Sequence, residues 1–177
     1  MYKYKPERNV KQVFLLMASC IIGLVAIFAL SIYWESQSGI LRFIGFLFAA
    51  LAMYVVIRFT MTEMEYAVEG NTFVITKIVG NKRTVQGALD LADTIALVNK
   101  AGYRANGYNK NYNAFCNYSQ NIGGKHWYYV CEFSGKRAVI EFEPSDTFVA
   151  IMRDAINKSQ NEPKDSHDFD ADGGILI

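Results

Sequence analysis

Histidine is nearly absent from this sequence: His126 and His167 are the only two in 177 residues. No pair of them stands at metal-ligand or acid–base spacing, and no Gly-rich phosphate loop or nucleophile elbow accompanies them. Cysteine is also scarce, with three residues in no CxxC arrangement. An odd, sparse set excludes a disulfide framework and fits a reducing compartment. Alternation along the strand sets His126 and Cys131 on opposite faces, which argues against a shared zinc site. Net charge is short as well: 18 Lys and Arg against 17 Asp and Glu leave +1, so no global field draws the chain to nucleic acid. These shortages point to a protein that is not an enzyme and that carries neither cofactor nor metal.

Charge is missing locally too. Between Val13 and Tyr33 the chain reads VFLLMASCIIGLVAIFALSIY, 21 residues with no ionisable acid or base other than the cysteine and the terminal tyrosine. A helix of that length rises about 30 Å, enough to cross a hydrocarbon core. A second run, Ile40 to Ile57, holds one charge, Arg42, whose stem can stay apolar while its head reaches the interface. Proline is absent from both runs. Only WESQSG, residues 34–39, lies between them, so the two runs predict a transmembrane helical hairpin with spans at about 13–33 and 40–58. The first run is too long for a signal-peptide core, and no small-x-small cleavage site follows it before Trp34.

Lys3, Lys5, Arg8 and Lys11 precede the first span and Arg58 closes the second, while the turn has no Lys or Arg. The positive-inside rule then predicts both termini in the cytoplasm. This divides the chain into a basic N-terminus at 1–11, a membrane hairpin at 12–61, a cytoplasmic domain at 62–159 and an acidic, disordered tail at 160–177.

After Arg58 the period shifts to two. Met64, Tyr66 and Val68 alternate with Glu65 and Glu69, and strands continue over Thr72–Val79, Lys82–Leu91 and Asp93–Asn99. HWYYVCEF and KRAVIEFE flank Ser134-Gly135 as a hairpin, with Trp127, Tyr129, Cys131 and Phe133 sharing a face with Ala138, Ile140 and Phe142. Pro144 ends the sheet. A helix follows with Ser145 or Asp146 as N-cap and a stripe of Phe148, Val149, Met152 and Ile156. Asn113–Asn121 completes the set if Gly123-Gly124 folds it back onto HWYYVCEF, a register that sets Cys116 opposite Cys131. The prediction is seven antiparallel strands and one C-terminal helix, an all-β order found in pleckstrin-homology-like (PH-like) domains.

The two basic-flanked spans, MEYAVEGNTFVITKI and AVIEFEPSDTFVAIMRDAI together resemble a family of small bacterial two-span membrane proteins. The cytoplasmic part of that family resembles bacterial PH-like domains, and the similarity covers about residues 1–158. The resemblance implies a PH-like fold and a place in the bacterial cytoplasmic membrane. It carries over no catalytic residue.

Residues 103–118, YRANGYNKNYNAFCNY, combine four tyrosines and five asparagines with Arg104 and Lys110. Two cations are too few for a nucleic-acid groove, so the expected reading is a polar loop over 100–112 running into a strand. Tyr103, Arg104, Tyr108, Lys110 and Tyr112 are its candidate protein contacts, since Tyr offers contact area at low entropy cost. For a PH-like fold, anionic lipid is the other candidate partner. The first turn, Glu69-Gly70-Asn71, is acidic, which leaves Lys77, Lys82 and Arg83 around the second turn as the candidate lipid contacts. Asp168 to Gly173 spells the first half of a calcium loop but lacks the acidic twelfth residue, so calcium is not expected to bind there. The expected function is that of a membrane-tethered interaction or assembly module, with anionic-lipid sensing as the alternative.

Overall fold

The computed structural model describes residues 1–34, 38–110, 112–133 and 135–161. Ser36 of the inter-helix turn, the calcium-like stretch Asp168–Gly173 and the acidic tail beyond Asn161 lie outside the described residues. The chain divides into two compact units, Arg8–Thr62 and the remainder, Met1–Glu7 with Glu63–Ile177.

The first unit is a pair of helices, α1 (Val10–Tyr33) and α2 (Ser38–Thr60). Asn9 caps α1 by accepting the Gln12 N–H at 3.2 Å. Both helices are long and apolar enough to cross a membrane. Where they touch, glycine allows it. A Cβ on Gly23 would lie 2.9 Å from the Phe48 ring, and one on Gly45 would lie 3.2 Å from Ile27. The helix hydroxyls bond backwards to their own backbone, Ser19 to Leu16 O and Ser31 to Phe28 O, both at 2.8 Å. Such bonding satisfies a polar group without water. Elsewhere the side chains point outward: Phe14, Ile22, Val25, Phe46, Leu51 and Met53 are all exposed.

Among the described residues, the second unit holds eight strands in two sheets of four. The first sheet runs β1 (Tyr2–Tyr4), β2 (Thr62–Glu69), β3 (Thr72–Val79), β4 (Lys82–Asp90), neighbours in that order. Gly70 and Gly80 make its two tight turns at φ near +57° and +58°, a conformation that a side chain would strain. The second sheet contains β5 (Thr94–Asn99), β6 (Ala114–Asn117), β7 (Trp127–Phe133) and β8 (Lys136–Phe142), in the spatial order β5-β7-β8-β6. A helix α3 (Lys100–Ala105) follows β5, and α4 (Asp146–Asn161) closes the chain's described part.

The eighth strand is the one that the sequence reading did not include. Tyr2, Lys3 and Tyr4 pair antiparallel with Val68, Ala67 and Tyr66, so the start of the chain is part of the first sheet. A three-residue strand shows almost no period, and its basic residues suggested only a membrane flank. The core lies between the sheets. Met64, Tyr66, Phe73, Ile75, Tyr129, Cys131, Ile140 and Phe142 meet Phe148, Val149, Met152 and Ile156 of α4, all buried. Ser145 Oγ accepts the Phe148 N–H at 3.1 Å and so caps α4. Phe133 departs from the expected inward face and is 46% exposed, because it ends β7 at the hairpin tip.

The register of β6 also differs from expectation. It lies parallel to β8, with Ala114, Phe115, Cys116 and Asn117 beside Ala138, Val139, Ile140 and Glu141. The Gly123-Gly124 turn does not fold it onto β7, because the intervening loop spends its polar groups elsewhere. Gln120, fully buried, accepts the Met64 N–H at 2.8 Å, and the Asn121 amide binds both the Glu143 carboxylate and Glu7 O. Cys116 and Cys131 are therefore two strands apart, roughly 10 Å at ordinary strand spacing, too far for a direct bridge. Both thiols are free.

Candidate interaction surface

Strand β7 is buried on both faces through Cys131. Its inner face makes the core. On the outer face, Tyr128 and Val130 with Val139 of β8 form a second apolar cluster that α3 covers. Asn99 caps that helix by accepting the Gly102 N–H at 2.9 Å. The cap turns Tyr103 down onto Tyr128, ring centroids 4.1 Å apart and planes within 5°. Tyr103 is thus buried, and its ring is a roof for the sheet rather than a contact for a partner. Tyr108 is half-buried against the same cluster. The expected loop over 100–112 is a capped helix and a turn, and it leaves Arg104, Lys110 and Tyr112 at the surface.

Beyond this roof the same face opens into a groove of about 600 Å³, lined by Ile95, Lys110, Tyr112, Asn113, Glu132 and Arg137. Each element contributes for a local reason. A register shift between Thr94 and Ala96 leaves Ile95 unpaired, so its side chain leaves the ladder. Glu132 and Arg137 are cross-strand partners on the outward face of the β7–β8 hairpin. Asn113 fixes the loop to that hairpin: its N–H donates to Arg137 O at 2.8 Å, and its side-chain oxygen accepts the Arg137 N–H at 3.2 Å. Tyr112, 43% exposed, leans on Phe115 with centroids 5.8 Å apart. The groove combines two cations, one carboxylate and an exposed aromatic wall.

At the other end of the outer face Glu141 gathers polar groups. It accepts from Tyr128 OH at 3.2 Å and from the Asn117 amide at 3.1 Å, and His126 Nδ1 lies 3.2 Å from it. His126 Nε2 sits 3.3 Å from Ile122 O, so both ring nitrogens face acceptors. Burial first, and then Glu141, pushes the Tyr128 phenol up to about 12. Cys131, on the inner face, is pushed up to about 12 by burial, with Asp93 adding to it. Its thiol is a small apolar side chain at neutral pH. Among the described residues, no three His, Cys, Asp or Glu side chains come together as a metal site.

In the second hairpin one of the three basic residues has an acidic partner. Arg83 makes a two-pronged contact with Glu65 at 3.2 and 3.4 Å, and Lys3 approaches the same carboxylate at 3.9 Å. Lys77 is half-buried on β3, and Lys82 is exposed at the turn. Three cations were legible there; the carboxylate that faces Arg83 was not.

Ile95, Asn113, Glu132 and Arg137 line the groove but are not among the site candidates of the sequence analysis. Strand alternation places Glu132 and Arg137 on the outward face, but their meeting with Lys110 and Tyr112 depends on β6 docking parallel to β8. No curated protein and no solved structure matches the chain. Residues 4–162 match the model of one family, a stretch that includes both apolar helices and every strand of the two sheets except the first residues of β1. On that match the chain belongs to the family described as Bacterial PH-like domain (DUF6106).

Proposed function

We propose that this is a non-enzymatic protein of the bacterial cytoplasmic membrane, crossing it twice with both termini in the cytoplasm and presenting its PH-like domain there as a protein-interaction module. Two features support the membrane part. The helices are apolar on nearly every face yet largely unburied, as a lipid-facing pair would be. Tyr2–Tyr4, before α1, and Thr62–Glu69, after α2, are neighbouring strands of one sheet. One folded sheet occupies one side of a membrane, so the hairpin between these strands crosses an even number of times. The basic flanks favour the cytoplasmic side.

The observation that carries the interaction reading is the groove, a channel open to solvent and lined by Lys110, the exposed ring of Tyr112 and Arg137. Of the sequence candidates, Arg104, Lys110 and Tyr112 remain contact residues, and Tyr103 and Tyr108 act beneath them as support. Anionic lipid at Lys77, Lys82 and Arg83 is the weaker reading, since Glu65 already engages the Arg83 guanidinium.

A photo-crosslinking amino acid placed at Tyr112 in the full-length protein, in its native membranes, tests this. A discrete product at Tyr112 that is absent from the same probe at Val85 on β4 is the expected result. Equal labelling at both positions, or none at Tyr112, overturns the proposal.

A further inference from the structure

The groove lies beside the point where the last described helix ends. Gln160 Nε2 donates to Thr94 O at 2.8 Å, which pins the final turn of α4 to the start of β5. The next residue of β5, Ile95, lines the groove. From Asn161 the chain continues through EPKDSHDFDADGGILI, in which five acidic side chains accompany a single lysine, Lys164. Asp168, Phe169 and Asp170 begin seven residues beyond Asn161, a reach of about 23 Å when extended. Rounding one edge strand to the outer face of the sheet needs about half of that, given strand spacing near 4.8 Å and a sheet layer near 10 Å.

Resting on the reading of this groove as a contact surface, we infer that its first occupant is the chain's own acidic tail, with Asp168-Phe169-Asp170 as the docking segment. The chemistry is complementary on both counts. Lys110 and Arg137 are cations that line the groove together with Tyr112, and Arg can bind a carboxylate through two parallel hydrogen bonds. Tyr112, in ring contact with Phe115, supplies a ring for Phe169 to pack against. Among the described lining residues Glu132 carries the like charge, which opposes the acidic tail. The tail then competes with any acidic, aromatic-bearing partner segment for the groove. Tethering gives the tail a high effective concentration, which lets a weak contact hold the groove.

The test uses the full chain in detergent micelles, intact or ended after Asn161, and a fluorescein-labelled peptide of residues 162–177. The tail-less protein should bind the peptide saturably by anisotropy. Affinity should fall about tenfold between about 50 and about 500 mM salt, as screening of close charge pairs requires. It should also fall about tenfold with Lys110→Glu plus Arg137→Glu, and by a similar factor for a peptide carrying Asp168→Asn, Asp170→Asn and Asp172→Asn. The peptide variant leaves the fold untouched, so it decides the matter if the double reversal unfolds the protein. The intact chain should bind the peptide about tenfold more weakly than the tail-less one. Absence of saturable binding, indifference to the peptide's charges, or equal binding by intact and tail-less proteins each overturns the inference. If these fail while Tyr112 still crosslinks to another protein in membranes, the tail is wrong and the contact surface stands.

Discussion

Tyr4 stands directly opposite Tyr66 across the antiparallel β1–β2 pair, their ring centroids 6.4 Å apart. Tyr66 in turn ties three other parts of the domain together. Its hydroxyl donates to Tyr118 O at 2.8 Å and accepts the Glu143 N–H at 3.2 Å, and its ring meets Phe142 edge-on at 5.3 Å. The start of the chain is thereby built into the core that follows the helices.

Tyr4→Ala removes that ring and its contact with Phe148 at 5.9 Å. Because Tyr4 is only half-buried, the expected loss is about 1–2 kcal/mol of domain stability. Urea unfolding in detergent, followed by tryptophan fluorescence, measures it. A loss within error of zero would mean that β1 contributes nothing to the fold.

Phe148 is fully buried among Tyr2, Tyr4, Tyr66, Phe73 and Phe142, with every one of those centroids within 6.5 Å. Phe148→Ala should cost about 3–5 kcal/mol, the range for a ring deleted from a packed core. A cost under about 1 kcal/mol would show that α4 does not close the space between the sheets.

Stability should fall in alkali. Burial pushes the Cys131 thiol from 9.0 up to about 12 and the Tyr118 and Tyr128 phenols from 10.0 up to about 12. Tyr129 moves in the same direction, mainly through burial, against a hydrogen bond with the Thr94 hydroxyl. Each folded group holds its proton more tightly than its unfolded counterpart. The contribution is therefore complete below the unfolded values and is lost as pH rises from about 9 toward about 12. Unfolding free energy should be level from neutral pH to about 9 and should decline above it. A flat profile to about pH 11 would refute burial as the cause.

The proposed topology has its own measurement. In a variant with Cys20, Cys116 and Cys131 replaced, Ser36→Cys between the helices should react with an impermeant maleimide on whole cells. Lys136→Cys, exposed at the β7–β8 turn, should react only after the cells are opened. The reverse pattern would overturn the cytoplasmic placement.

The sequence by itself determined the elements whose chemistry is periodic and local. Two long apolar runs became α1 and α2, and alternation about Tyr66, Tyr129 and Ile140 marked the inward faces of three strands. Pro144 and Ser145 marked the start of α4, and the stripe from Phe148 to Ile156 faces the core. Only the tertiary structure decided what depends on contacts between distant segments. Three residues at the N-terminus become a strand because β2 offers an unpaired edge, a fact invisible in Tyr2-Lys3-Tyr4 alone. Strand β6 lies parallel to β8 because Gln120 and Asn121 bind Met64, Glu143 and Glu7, and so draw the following loop away from β7. Tyr103 is buried because an asparagine cap turns one helical turn onto Tyr128. The groove follows from the last two events together, since it exists only where a loop, a bulge and a hairpin 42 residues from Ile95 to Arg137 meet on one face. Local propensity is a sum over neighbours in the chain, whereas a surface is a sum over neighbours in space.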